Sequence, residues 1–310
     1  MSHDTKEPIT IGICASDAAS NLPRLLRDIQ RETFPAGFLL KRIVVVASGV
    51  PQAVTSEVGR MSLSDPRILL IREEQRHGKA EAINRILGHR EGRLLVLVNS
   101  DALPVRGSIS RLIEQIGSRE DVGSVSALPT FQSRNTVTSR ILELMWSAHN
   151  ISSMELNDAH LSNHNCDELM AVKSDLVTEL PRDVVNDGAY IGGLVYSKGY
   201  RIAFCQDAEV LIDIPDNVSD LISQRRRILF GHAQVWKELG RPPRTIESLL
   251  ITRPRLAIRF LTEVLASRPG LFLITPVAAI TEAVAGMLSI LDDTLSPGRH
   301  SVWRRYGGGQ

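Results

Sequence analysis

Cysteine and net charge are what this chain has least of. Three cysteines, Cys14, Cys166 and Cys205, are scattered without a CxxC pair, which argues against a disulfide framework and for free thiols in a reducing compartment. With 36 Lys and Arg against 35 Asp and Glu, the formal charge of +1 gives no whole-molecule attraction to nucleic acid. Any site for a polyanion has to be local. No glycine-rich phosphate loop stands near the N-terminus. There is no repeat, and no low-complexity tract apart from the closing GGGQ, whose residues are expected to be mobile. The opening MSHDTKEPIT is polar and acidic, unlike a secretory signal, so the expected location is the cytoplasm.

What remains is globular material, 43% hydrophobic and 23% charged over 310 residues, enough for a large packed core. ITIGICAS (9–16), KRIVVVASG (41–49), RILLIREE (67–74) and RLLVLVNSD (93–101) read as buried strands. Between them, Leu22, Leu25, Leu26 and Ile29 have helical spacing, as do the apolar positions of PQAVTSEVGRM and GKAEAINRILGHR. Strands alternating with helices at short intervals predict an α/β domain with a mostly parallel sheet flanked by helices on both faces. SISRLIEQIG then predicts a helix and VGSVSALPTF a short strand. A polar stretch from Ser133 to about Asp167 holds one helix around SRILELMWSAHNISSM. Helix and strand return in AYIGGLVYSKGYRIAFCQDAEVLIDI, and helical character dominates from Val218. The expected division is an α/β domain over 1–240 and a helical, apolar C-terminal extension over 241–310.

Within that extension, Gly270 to Leu291 is apolar over a length close to that of a bilayer core of about 30 Å, interrupted by Pro276 and by the single charge of Glu282. A central Glu makes an isolated spanning helix costly. Basic residues interleave with apolar ones in the preceding RPRLAIRFLTEVLASRPG, which favours a helix at the membrane interface, on the inner face of the membrane.

Four polar segments, Ser16-Asp17, Ser48-Gly49, His77-Gly78-Lys79 and Asn99-Ser100-Asp101, would converge at one edge of a parallel sheet and form a ligand crevice there. At such a crevice Asp101 could hold Mg²⁺ or Mn²⁺, with a diphosphate supplying the other oxygens. Lys79 could offer a cation to the same phosphates. Asp183 and Asp187 stand in a loop entering a helix, where Asp187 reads either as an N-cap or as a general base. Gln224-Arg225-Arg226-Arg227 reads either as a solvated basic face or as a set of bidentate diphosphate clamps. His160, His164 and Cys166 have spacing that a zinc site could use, without the fourth ligand a structural zinc needs.

Taken together, these strings resemble the family 2 glycosyltransferases, inverting enzymes of the GT-A fold. The resemblance runs from Ile9 to about His232 and more weakly through the tail to HSVW. ITIGICASDAASNLPRLL stands for the family's opening strand and helix, VVVASG for its second strand end, and EEQRHGKAEAIN for its GKAxAxN run. VLVNSDALP takes the place of the DxD-type motif, GYRIAF of the GYR segment, and QRRRI of QxxRW. The resemblance implies transfer of a sugar from a nucleotide-diphosphate-sugar donor to an acceptor hydroxyl, on a glycan or a lipid-linked molecule, with Mg²⁺ or Mn²⁺ on Asp101. It implies that Ser16, Asp17, Ser48, Lys79, Asn99, Gln224 and Arg227 lie at the donor, and that Asp187 is the base. The chain departs from the pattern where Tyr-Asn-Glu becomes Ser16-Asp17-Ala18, where Asn99 replaces an acid, where the acid pair becomes Asn186-Asp187-Gly188, and where Trp becomes Ile228. Those departures admit an alternative, a non-catalytic protein that binds a nucleotide-sugar or a partner.

Overall fold

Residues along β1 (Glu7–Ala15) alternate between two cores, because a strand sends successive side chains to opposite faces and both faces of this sheet are covered. A computed structural model describes residues 6–17, 19–296, 298, 300 and 302. Its elements follow in the order β1, α1 (Leu22–Gln30), β2 (Phe38–Ser48), α2 (Gln52–Ser64), β3 (Ile68–Glu73), α3 (Lys79–Gly88), β4 (Leu94–Asn99), β5 (Leu103–Pro104), α4 (Ser108–Gly117), β6 (Val122–Thr130), α5 (Val137–Asp158) and β7 (Leu169–Lys173). Then come α6 (Asp187–Ser197), β8 (Arg201–Leu211), α7 (Val218–Leu239), α8 (Ile246–Thr252), α9 (Pro254–Ser267) and α10 (Thr275–Leu295).

The sheet has the order β3-β2-β1-β4-β7-β6-β8-β5. It is parallel from β3 to β4 and between β6 and β8, and antiparallel on both sides of β7 and at β5. Ile9, Ile11 and Ile13 pack with Ile43, Val45, Leu94, Val96 and Val98 against the buried faces of α1 and α4. Val44, Val46, Leu95 and Leu97 point the other way, onto α3 and α6. Gly12 lies on that second face, where a Cβ would meet the Ile86 side chain at 2.4 Å, so glycine lets α3 settle onto the sheet.

β7, like the two-residue β5, is a strand that the sequence pattern did not announce. Leu-Met-Ala-Val-Lys is five residues long and buried throughout, too short and too evenly apolar for periodicity to name it. Its reversal makes the sheet mixed rather than uniformly parallel.

The C-terminal helices pack on α5 and α7, where Ile141, Leu142 and Leu144 meet Leu221, Val264, Leu271 and Ala278. Charged groups reinforce the contact. Arg225 of α7 donates to Glu282 of α10 at 2.9 and 2.8 Å and also pairs with Glu247 of α8. Arg226 pairs with Asp292, and Lys237 with Asp293. The one charge inside the apolar run therefore faces protein. The buried positions of α10 are Ala278, Thr281, Ala285, Ser289 and Asp292, whereas Ile280, Met287, Ile290, Leu291 and Leu295 are exposed.

Candidate active site

The carboxyl ends of β1, β2 and β4 share one edge of the sheet because the three strands run parallel. They deliver Ser16, Ser48 and Asn99-Ser100-Asp101 to the wall of a cavity of about 410 Å³. β7 runs the other way, so its start arrives at that same edge, and Asn99 donates its backbone N–H to the Glu168 carbonyl at 3.1 Å. Asp167 and Glu168 are thereby carried beside Asn99-Ser100-Asp101. From the flanks, α3 contributes Lys79 and α7 contributes Gln224, Arg225 and Arg227 to the lining.

Lys79 sits at the focus of the polar end. Gly78 precedes it with φ at 95°, a conformation that favours glycine, and turns the chain into α3. The Lys79 ammonium donates to Asp167 Oδ2 at 2.8 Å and lies 3.0 Å from Asp187 Oδ1. Gly188 explains how two acids from distant segments meet there: a Cβ at 188 would lie 2.7 Å from the Asp167 Cβ and 2.8 Å from the Asn165 carbonyl. The loop 165–167 occupies the space a side chain at 188 would need. Asn186 is the N-cap of α6, its side chain accepting from the Ala189 N–H at 3.0 Å, and Asp187 is the first helical residue rather than the cap.

Burial and charge set the protonation of this cluster. Burial pushes the Asp187 carboxyl up to about 6, with Lys79 pulling against it. Burial acts the same way on Asp167, but there the Lys79 ammonium and hydrogen bonds from Glu168 and Lys79 win, and the carboxyl stays well below its usual range. Glu168 is pushed up to about 8 by burial and by the Asp167 charge, and it accepts from Cys166 Sγ at 3.0 Å. At neutral pH the cluster therefore holds an ionised Asp167, a mostly ionised Asp187 and a largely protonated Glu168 around one ammonium.

Of the residues expected at a site, Ser16, Ser48, Lys79, Asn99, Asp101, Gln224 and Arg227 all line the cavity. Asp17 instead pairs with Arg76 at 3.0 Å, and Arg76 is the one that lines the wall. Asp187 stands behind Lys79, 3% exposed. Ser48 Oγ and Asn165 Nδ2 are buried at the wall without a hydrogen-bond partner among the described residues, as expected of groups that meet a ligand. Ala18, Ser301 and Trp303 lie outside the described residues.

Several residues at the cavity escaped the sequence reading. Asp167 and Glu168 sat in a polar stretch without a motif, and the signal for them is an acid pair immediately before an apolar run. His149 and His232 escaped it too, and with His164, read from the sequence only as a candidate zinc ligand, they line the wall in edge-to-face contact, with ring centroids 6.0 and 5.5 Å apart. Burial depresses their pKa values to about 3, 4 and 3, so all three are neutral at pH 7. His160 is exposed and bonded to Arg201, away from His164 and Cys166, and among the described residues no three metal-type ligands come together. The spacing that suggested zinc does not form a zinc site.

Comparison with known proteins fits this architecture. The family model described as Glycosyl transferase family 2 matches residues 10–180, more than half of the chain, and the protein belongs to that family. The fold is the GT-A fold, shared with solved structures. The mannosyltransferase PcManGT from Pyrobaculum calidifontis, solved with GDP-Man and Mn²⁺, is 20% identical with a TM-score of 0.64, over 94% of this chain and 88% of that one. GalNAc-T7, solved with UDP, GalNAc and Mn²⁺, is 12% identical with a TM-score of 0.54, over 75% of this chain and 48% of the other. Glucosyl-3-phosphoglycerate synthase from Mycobacterium tuberculosis, solved with Mn²⁺, UDP and phosphoglyceric acid, is 18% identical with a TM-score of 0.50, over 77% and 80%. No curated protein matches the sequence.

Proposed function

We propose that this protein is an inverting glycosyltransferase that moves a hexosyl group from a nucleotide-diphosphate-sugar to an acceptor hydroxyl. The observation that carries the reading is the convergence of Ser48, Asp101, Lys79 and Arg227 on one cavity, with Asp167 at its wall and Asp187 behind it, both on the Lys79 ammonium. The cations of Lys79 and Arg227 suit a diphosphate, and the unsatisfied Ser48 hydroxyl suits a nucleotide or sugar oxygen. The relatives solved with nucleotides and Mn²⁺ support the same assignment.

Asp101 fits a divalent cation as a single hard carboxylate at the cavity wall, with Asn99 alongside and the other oxygens coming from phosphate and water. Such an ion would neutralise charge building on the leaving diphosphate. We assign the base to Asp187, whose raised pKa of about 6 makes it the better proton acceptor of the two acids around Lys79. Asp167, which lines the cavity, holds Lys79 and fills the space left by Gly188. A diphosphate would compete with both acids for the ammonium. Residues 241–310 are read as an extension whose outward face on α10 rests on the inner surface of a membrane. A helix with its large apolar side chains outside and its small or charged ones inside suits lipid contact.

Calorimetry with a panel of nucleotide-diphosphate-sugars, with and without Mn²⁺, tests the donor site. Metal-dependent binding of one member should vanish in Asp101→Ala. Asp187→Asn should keep donor affinity and lose about 10²- to 10⁴-fold in turnover. Full turnover in Asp187→Asn with the loss appearing in Asp167→Asn would move the base to Asp167. Absence of binding to every member would support the non-catalytic alternative.

A further inference from the structure

The cavity does not end at the polar cluster. It continues between α5, α8, α9 and α10, where its wall is formed by Met145, Trp146, Leu250, Leu261, Ala278 and Ala279. Between the two ends the wall carries the three neutral histidines, with Trp146 in edge-to-face contact with His149 at 5.2 Å. Arg225 also touches this wall, but its charge is met by Glu247 and Glu282, so the passage presents a paired ion cluster rather than a bare cation. A sugar, a nucleotide and a diphosphate have no use for so much hydrocarbon wall.

At the apolar end, two lining residues of α8 and α10 reach the outside as well. Leu250 is 45% exposed on α8, and Ala279 is an exposed position of α10 next to Ile280. The apolar end thus adjoins the same outward surface that α10 presents, where Leu250, Val277 and Ile280 are exposed apolar residues.

Resting on the glycosyltransferase reading above, we infer that the acceptor is an amphiphile: its hydroxyl or phosphate head meets Lys79 and Arg227 beside Asp167, and its hydrocarbon chain occupies the apolar end of the cavity and leaves beside α10. Burial of methylene groups supplies affinity there without any specific hydrogen bond, and Trp146, Met145 and Leu261 supply the surface. The neutral imidazoles let the head pass or hydrogen-bond without placing a net charge against the chain.

Titration of the full chain with inorganic phosphate and with butyl, hexyl and octyl phosphate tests this directly. Each added pair of methylenes that enters the cavity should tighten binding roughly tenfold. Ala279→Trp, which fills the exit from an exposed position, should flatten the series while UDP and GDP bind as to the unaltered protein. Ile290→Ser, on the outward face away from the cavity lining, should leave the series intact and so separates the cavity from the outer surface. A series that is flat in the unaltered protein, or that climbs equally in Ala279→Trp, overturns the proposal. Nucleotide binding in the same titrations keeps the two readings apart: UDP or GDP binding beside a flat alkyl series removes only the amphiphilic acceptor, whereas a climbing series without nucleotide binding removes only the donor assignment.

Discussion

Helices α4 and α10 solve opposite problems. α4 buries Ile109, Leu112, Ile113 and Ile116 along one stripe and leaves Arg111 and Glu114 outside, as a helix on a sheet in water does. α10 buries alanines, Thr281, Ser289 and Asp292, and carries its large apolar residues outward, with Ile290 67% exposed and Leu295 77% exposed. Both are held firmly, the first by hydrophobic burial and the second by close approach of small residues and by charge pairs to α7. The difference teaches that apolar residues on a helix can close a core or be left on the surface, and that the direction of the stripe decides which.

The comparison can be broken most forcefully at Arg225. Arg225→Ala leaves Glu247 and Glu282 in a protein-lined space without their shared cation, and should cost about 3–5 kcal/mol of stability in urea unfolding. A cost under about 1 kcal/mol would mean that water solvates the acids, and that α10 is not held by charge. A matched pair of truncations sharpens the contrast. Leu112→Ala on α4 should destabilise by about 2–5 kcal/mol through the cavity it leaves. Ile290→Ala should stay within about 0.5 kcal/mol in water yet lower partitioning to anionic lipid vesicles by roughly tenfold. Unchanged partitioning in Ile290→Ala would remove the membrane from the reading of α10.

The polar cluster is read through pH rather than through a truncation. Burial raises Glu168 from 4.5 to about 8, so the folded protein holds a proton there that the unfolded chain has released. That group's contribution is full below about pH 4.5 and fades as pH rises toward 8, because the unfolded state then binds fewer protons than the folded one. Glu168→Gln should flatten that decline, measured as the urea midpoint across the same window. Asp187, raised to about 6, keeps a weaker slope of the same sign in both proteins. A steeper decline in the variant would contradict the protonation assigned to Glu168.

How much could be read from the sequence followed how local the governing physics was. From β1 to β4, strands and helices alternate with clear periodicity, and the residues at their ends, Ser16, Ser48 and Asp101, reach the cavity as the parallel-strand rule requires. That rule looks only at carboxyl ends, so it passed over Asp167 and Glu168, which stand at the start of an antiparallel strand. Gly188 looked like a lost acid in one dimension. In three dimensions its missing side chain makes room for Asp167. The Arg225-Arg226-Arg227 run read either as a solvated basic face or as clamps for a diphosphate, but Arg225 and Arg226 are engaged by acids 22 to 66 residues further on, a pairing that no local pattern contains. The apolar tail was visible at once, and what sequence alone did not reveal was which way its stripe faced.

The outward face of α10 also governs how the protein behaves in a test tube. A stripe that includes Ile280, Met287, Ile290, Leu291 and Leu295 has to find some cover in water. Because apolar association weakens on cooling and strengthens with sulfate, the protein should disperse best cold and in low salt, and gather into larger species as it is warmed or salted.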